Sequence, residues 1–139
     1  MMQRPHTTGS KQTMLNNDDG TITFILQMTV MPKTDDVESW ITERSSRVTF
    51  EFEEMKTRRF EWFLSTNKSM ATLIEVFDDS EGALTRFNNL ISSPIAPEWM
   101  ERFEVESFTV LGDASHELRE ALASMEPDFR AFSGGFTRV

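Results

Sequence analysis

Cysteine and tyrosine are both absent from the 139 residues, and histidine occurs only twice. Without cysteine there are no disulfides, no thiolate metal ligands and no cysteine nucleophile. Without tyrosine there is no phenol to serve as an acid. His6 and His116 stand alone, with no second histidine or spaced acid resembling a metal site. The six glycines form neither GxGxxG nor GxxxxGK, and no serine lies in G-x-S-x-G. No apolar run reaches the roughly 18 residues that a membrane helix needs, and residues 1–20 contain no h-region of a signal peptide. Basic residues are scarce, 14 against 23 acids, for a net charge of -9. That balance argues against a nucleic-acid backbone or an anionic membrane as partner. These absences lead to the expectation of a cytoplasmic protein with no metal and no cofactor.

What is present is a skewed aromatic set, twelve Phe and three Trp, in a chain that is 38% hydrophobic and 27% charged. The length suits one core. Residues 1–20 are polar and aperiodic; they are expected to form a flexible tail ending in a turn at Asn16-Asn17-Asp18-Asp19-Gly20, or else an arm reaching a partner chain. Residues 21–139 are expected to form the domain.

Thr21 to Met31 alternates, with Ile22, Phe24, Leu26, Met28 and Val30 on one side and Thr23, Ile25, Gln27 and Thr29 on the other, the pattern of a strand. Thr34 or Asp35 is expected to cap a helix running through Val37, Trp40, Ile41, Val48 and Phe52 to about Met55. Two further strands, Thr57 to Thr66 and Ser69 to Phe77, flank a hairpin turn at Asn67-Lys68. Asp78-Asp79-Ser80 opens a second helix with Leu84, Phe87, Leu90 and Ile91. Pro94 and Pro97 interrupt it before a short helical piece with Trp99 and Met100. A fourth strand over Phe103 to Leu111, a helix over Ser115 to Met125 and an irregular end complete the chain. The order β-α-β-β-α-β with an appended C-terminal helix predicts an α+β fold of the ferredoxin-like kind, an antiparallel sheet with helices on one face. The other face includes apolar residues and needs cover, for which a second copy in a homodimer is the natural occupant.

Four stretches carry a family resemblance: Ile22-Thr23-Phe24; Glu54-Met55-Lys56-Thr57-Arg58-Arg59-Phe60-Glu61-Trp62, similar to a pattern Glu-x-Gly-x(3)-Tyr-x-Trp; Glu75-Val76-Phe77-Asp78-Asp79-Ser80-Glu81-Gly82-Ala83-Leu84; and Leu111-Gly112-Asp113 with Glu117-Leu118 and Gly134-Gly135-Phe136. In their order and spacing the chain resembles the dimeric α-β barrel superfamily, in the branch related to antibiotic biosynthesis monooxygenases. Lys56, Phe60 and Arg86 stand where that family often has Gly, Tyr and His. The resemblance implies a dimeric α-β barrel and a cofactor-independent oxygenase.

The candidate site residues are Glu75 and Arg86 as catalytic groups and Trp62, Asn89 and Trp99 as ligand-binding groups. Glu75 shares a strand face with Leu73 and Phe77, and a carboxylate among apolar neighbours needs a partner. It is either one half of an ion pair with Arg58, Arg59 or Arg86, or a general base raised by burial. Arg86 and Asn89, three apart, share one helix side; Arg86 is either a solvated surface residue or a cation that holds an enolate, phenolate or carboxylate. Trp62 either fills the core or forms a flat wall with its indole N–H available to a ligand oxygen. The acid-rich Glu51-Phe52-Glu53-Glu54 is expected to be the exposed end of a helix. The expected function is a cofactor-independent monooxygenase acting on a small aromatic or quinol. The alternatives are an isomerase or lyase using the same proton transfer, and a non-catalytic ligand-binding or structural dimer of the same fold.

Overall fold

Alternation along β1 (Ile22–Val30) sends Ile22, Phe24, Leu26 and Met28 to one side, and all four are buried. The computed structural model describes residues 15–138. In it β1 lies between two antiparallel neighbours, β3 (Met70–Phe77) and β4 (Phe103–Leu111). Strand β2 (Thr57–Leu64) pairs with β3 by the hairpin. Lys68 takes a positive φ of 60° in that turn, and Asn67 Oδ1 accepts from the Ser69 amide at 3.0 Å. The fold is mixed α+β, with one five-stranded sheet in the order β2-β3-β1-β4-β5.

The last strand departs from the expected irregular end. Asp128–Arg130, β5, runs parallel to β4. Three residues after Pro127 hold no recognisable alternation; they become a strand because β4 offers a free edge. Gly112, at the end of β4, has φ +110°, and a Cβ there would strike the Thr21 carbonyl, so only glycine fits.

Helix α1 covers residues 37–51 in three parts: α-helical Val37–Trp40, π-helical Ile41–Ser45 and α-helical Ser46–Glu51. It stops short of the expected Met55, where Glu53 turns to φ 52°. The expected caps are not used either. The N-cap is Asp36, which makes no side-chain capping bond; its carboxylate instead accepts from Arg102 Nη2 at 2.8 Å. Helix α2 (Ser80–Ile91) is capped by Asp79, which accepts from the Gly82 amide at 2.9 Å. Helix α3 (Ile95–Arg102) follows Pro94, and α4 (His116–Leu122) is capped by Ser115 on the Leu118 amide at 3.1 Å, continuing into a 3-10 turn, Ala123–Met125. Each side-chain cap contributes about 1 kcal/mol.

One sheet face and the helices form the core. Strand residues Phe24, Leu26, Leu73, Phe77, Phe108 and Val110 cluster with Val37, Trp40 and Ile41 of α1, Ala83 of α2, Ile95 of α3, and Leu118 and Leu122 of α4. Phe24 packs edge-on against Phe77 and Phe108, with centroids 4.9 and 5.2 Å away. The opposite face carries Ile25, Ile74, Val76 and Leu111 among Thr23, Gln27, Thr72 and Thr109. The expected tail lies mostly in residues 1–14, outside the described residues. Of the rest, Asn16 exchanges two hydrogen bonds with Gly135, at 2.6 and 2.9 Å, tying the start of the described chain to its end.

Candidate functional site

Strand register places a carboxyl in the middle of the core face. Phe60 of β2, Glu75 of β3, Phe24 of β1 and Val110 of β4 are successive partners in one row across the sheet. Glu75 keeps only 7% of its surface. Among the described residues no group hydrogen-bonds to its side chain. Burial is the main influence on its acidity and pushes the carboxyl up to about 7. The positive charge of Arg86 works against that rise, and the negative charge of Glu54 adds to it.

Glu54 and Arg86 form a buried ion pair. Arg86 Nη1 lies 3.2 Å from Glu54 Oε2, and the side chains are 5% and 4% exposed. Asn89 Nδ2 donates to the same oxygen at 2.8 Å, and Thr57 Oγ1 donates to Glu54 Oε1 at 2.9 Å. The Arg86 guanidinium sits over the Phe52 ring, 5.5 Å from its centre. The expectation that Arg86 and Asn89 share a helix side holds, and both point to one carboxylate. The surface reading of Arg86 is overturned by its burial. Glu54 likewise corrects the expectation of an exposed acidic helix end: Glu51 and Glu53 are exposed, but Glu54 turns inward because α2 supplies two donors. The pattern Glu-Phe-Glu-Glu does not distinguish Glu54; its only signal is its place as the first residue of the stretch ending at Trp62.

A groove of about 770 Å3 runs between α1 and the start of β2, lined by Thr42, Ser46, Thr49, Phe50, Glu54 and Phe60 among others. Phe50 is 83% exposed at its rim. The groove thus reaches Glu54 of the ion pair and Phe60, the cross-strand neighbour of Glu75. The π-helical turn of α1 borders it at Thr42, and Ser46, the residue just after that turn, lines it too. A π turn inside an α-helix often accompanies a functional site.

Trp62 and Trp99 are placed elsewhere. Trp62 stacks on Phe103 at 5.0 Å, meets Trp40 edge-on at 6.0 Å and donates its indole N–H to Ser45. Trp99 packs against Phe103 at 5.9 Å. Both belong to one aromatic cluster against the core, and neither lines the groove. A second cleft, about 440 Å3, contains Trp40, Arg44, Glu98, Asp36 and Arg102. Its groups are already satisfied: Arg44 and Trp40 donate to Glu98, and Arg102 donates to Asp36. Among the described residues no group of three or more metal-ligating side chains is placed to hold an ion. Among the same residues no helix is long and apolar enough to cross a membrane.

A buried carboxyl near neutrality beside a fixed cation can take up and return a proton within the pH range of most enzymes. No protein-family model matches the chain, and no curated protein does. Among solved structures it is similar to the crystal structure of MupZ from Pseudomonas fluorescens, at 19% identity and a TM-score of 0.69, over 85% of this chain and 94% of that one. It is also similar to the crystal structure of a conserved protein from Methanosarcina mazei Go1, at 18% identity and a TM-score of 0.50, over 73% and 95% of the two chains. At these identities the likeness is one of fold.

Proposed function

We propose that the chain is a cofactor-independent monooxygenase-like protein, a ferredoxin-like dimeric α-β barrel of the antibiotic biosynthesis monooxygenase type, working in the cytoplasm as a homodimer. It binds a small aromatic or quinol-type molecule in the groove between α1 and β2. The observation that carries this reading is Glu75: a buried carboxyl raised to about 7, with no hydrogen-bond partner among the described residues and with Arg86 acting on it electrostatically.

In this mechanism a proton from an acidic methylene or hydroxyl of the ligand passes through one intervening water to Glu75, which lies one strand behind the groove-lining Phe60. The charge of Arg86 favours the resulting anion, as a preorganised cation does for a developing oxyanion. The anion itself then reduces dioxygen. For an anthrone-type methylene the balance is CH2 plus O2 giving C=O plus water, with all electrons drawn from the substrate. Phe50 and Phe60 supply the apolar groove wall first assigned to Trp62. Asn89 acts through Glu54 and does not face the ligand.

Oxygen uptake with an anthrone tests the reading. Uptake of one O2 per anthrone, at a rate that falls by about 100-fold or more in Glu75→Gln, supports it; an equal rate in wild type and variant removes Glu75 as the base. A second reading is a non-catalytic ligand-binding or structural dimer. It is favoured by the pairing of Arg86 with Glu54 and by the absence of Glu75 from the groove lining. Saturable binding of the same ligand with no oxygen consumed by the wild type decides for it.

A further inference from the structure

The buried cluster holds two carboxyls and one guanidinium, and the geometry divides their work. Arg86 is within 4 Å of Glu54, and no ion pair joins it to Glu75 among the described residues. Glu54 is gripped from two elements: Thr57 of β2 on Oε1, Asn89 of α2 on Oε2, and Arg86 of α2 on both, at 3.5 and 3.2 Å. Phe52 backs the guanidinium. The remaining neighbours of Glu75 along its row are uncharged, Phe60 on β2 and Phe24 on β1. The charged groups acting on Glu75 are therefore Arg86 from α2 and Glu54 from the segment between α1 and β2.

We infer that Glu54 is the positioning residue of this site: it anchors Arg86 away from Glu75, and so leaves Glu75 as the carboxyl of the cluster that exchanges a proton. The inference rests on the proposed role of Glu75 as base. It adds what makes that role available, because a guanidinium closing on Glu75 would hold it as a permanent carboxylate. Glu54 also lines the groove, so the same residue joins the ligand surface to the buried cation.

The test is a titration of Glu75 in the full chain, followed by NMR of carboxyl-13C glutamate and assigned by its loss in Glu75→Gln. In Glu54→Gln the negative neighbour is gone and Arg86 is released; both changes stabilise the Glu75 carboxylate. Its midpoint should fall by about one unit or more from the wild-type position, and Glu54→Asp should recover part of the shift. A midpoint unchanged in folded Glu54→Gln overturns the inference. Should that variant not fold, Glu54→Asp is read instead, since it withdraws the carboxylate by one methylene and loosens its hold on Arg86; a downward shift of Glu75 in it supports the inference, and none overturns it. The readout is independent of oxygen chemistry. A shifted titration without oxygen uptake in the wild type removes the monooxygenase reading and leaves the positioning role of Glu54 standing.

Discussion

The indole N–H of Trp62 donates to the hydroxyl of Ser45 at 3.2 Å. This bond joins β2 to the last residue of the π-helical turn in α1, and Ser45 is itself buried. Trp62 is therefore committed on both its stacked face and its polar edge. Trp62→Ala should destabilise the fold by about 3 kcal/mol, the lower part of the range for buried aromatic truncation because β2 is an edge strand. Trp62→Phe should lose about 1 kcal/mol, the net worth of one hydrogen bond. Urea unfolding of the two variants measures both, and a neutral Trp62→Ala would return the residue to the role of an unpacked ligand wall.

Stability should depend on pH through Glu75. Its carboxyl moves from an ordinary 4.5 to about 7 on folding. A carboxyl raised in the folded state binds more protons there than in the unfolded chain, so stability falls as pH rises from about 4.5 to 7. The change amounts to about 3 kcal/mol over that window. The urea midpoint of the wild type should drop between pH 5 and 7.5, and that of Glu75→Gln should stay nearly level. Asp36, Asp78, Asp79 and Glu98 are held below their ordinary values by Arg102, Arg58, Lys56 and Arg44 respectively, which act first by hydrogen bonding. They act with the opposite sign, and below the window of Glu75.

The ion pair of Glu54 and Arg86 should resist single truncation and tolerate joint replacement. Arg86→Ala leaves a buried carboxylate with only Thr57 and Asn89 as donors, and should cost about 3–5 kcal/mol. Replacing both residues by apolar side chains of similar volume, Glu54→Leu with Arg86→Met, should recover most of that loss. A double-mutant cycle from chemical denaturation gives the coupling; additive losses would mean that the two charges do not depend on each other.

Much of this was legible in the residues and part was not, for physical reasons. The faces of β1 and β3 follow from period two, because a sheet with one buried side sorts alternate residues strictly. That is why Glu75 could be singled out between Leu73 and Phe77. The π turn at Ile41–Ser45 has no local signature; it depends on how α1 meets Trp62 and the aromatic cluster. The burial of Glu54 is invisible for the same reason. Its donors Arg86 and Asn89 lie 32 and 35 residues away, and a run of acids beside Phe52 otherwise resembles a solvated helix end. Strand β5 needs only three residues and a neighbour, which leaves too little pattern to detect.

The sheet face turned away from the helices should be where two copies meet. Successive partners across it are Glu61, Ile74, Ile25 and Thr109 in one row, and Arg59, Val76, Thr23 and Leu111 in the next. Phe63, half exposed, lies beyond them on the same face of β2. Apolar side chains at its centre with threonines and charges around them suit a contact with a second copy: covering them yields about 25 cal/mol for each Å2 removed from water, while the polar rim keeps each chain separable. Light scattering of the wild type at micromolar concentration should give twice the 16.0 kDa of one chain. Ile74→Glu sets a second carboxylate directly across from Glu61, and in a face-to-face pair each copy would bring the same charges into the contact. The variant should scatter as a single chain and keep its helix and strand content by circular dichroism, since Ile74 points away from the core. A wild type that scatters at 16.0 kDa, or a variant that stays dimeric, would show that this face is not where two copies meet.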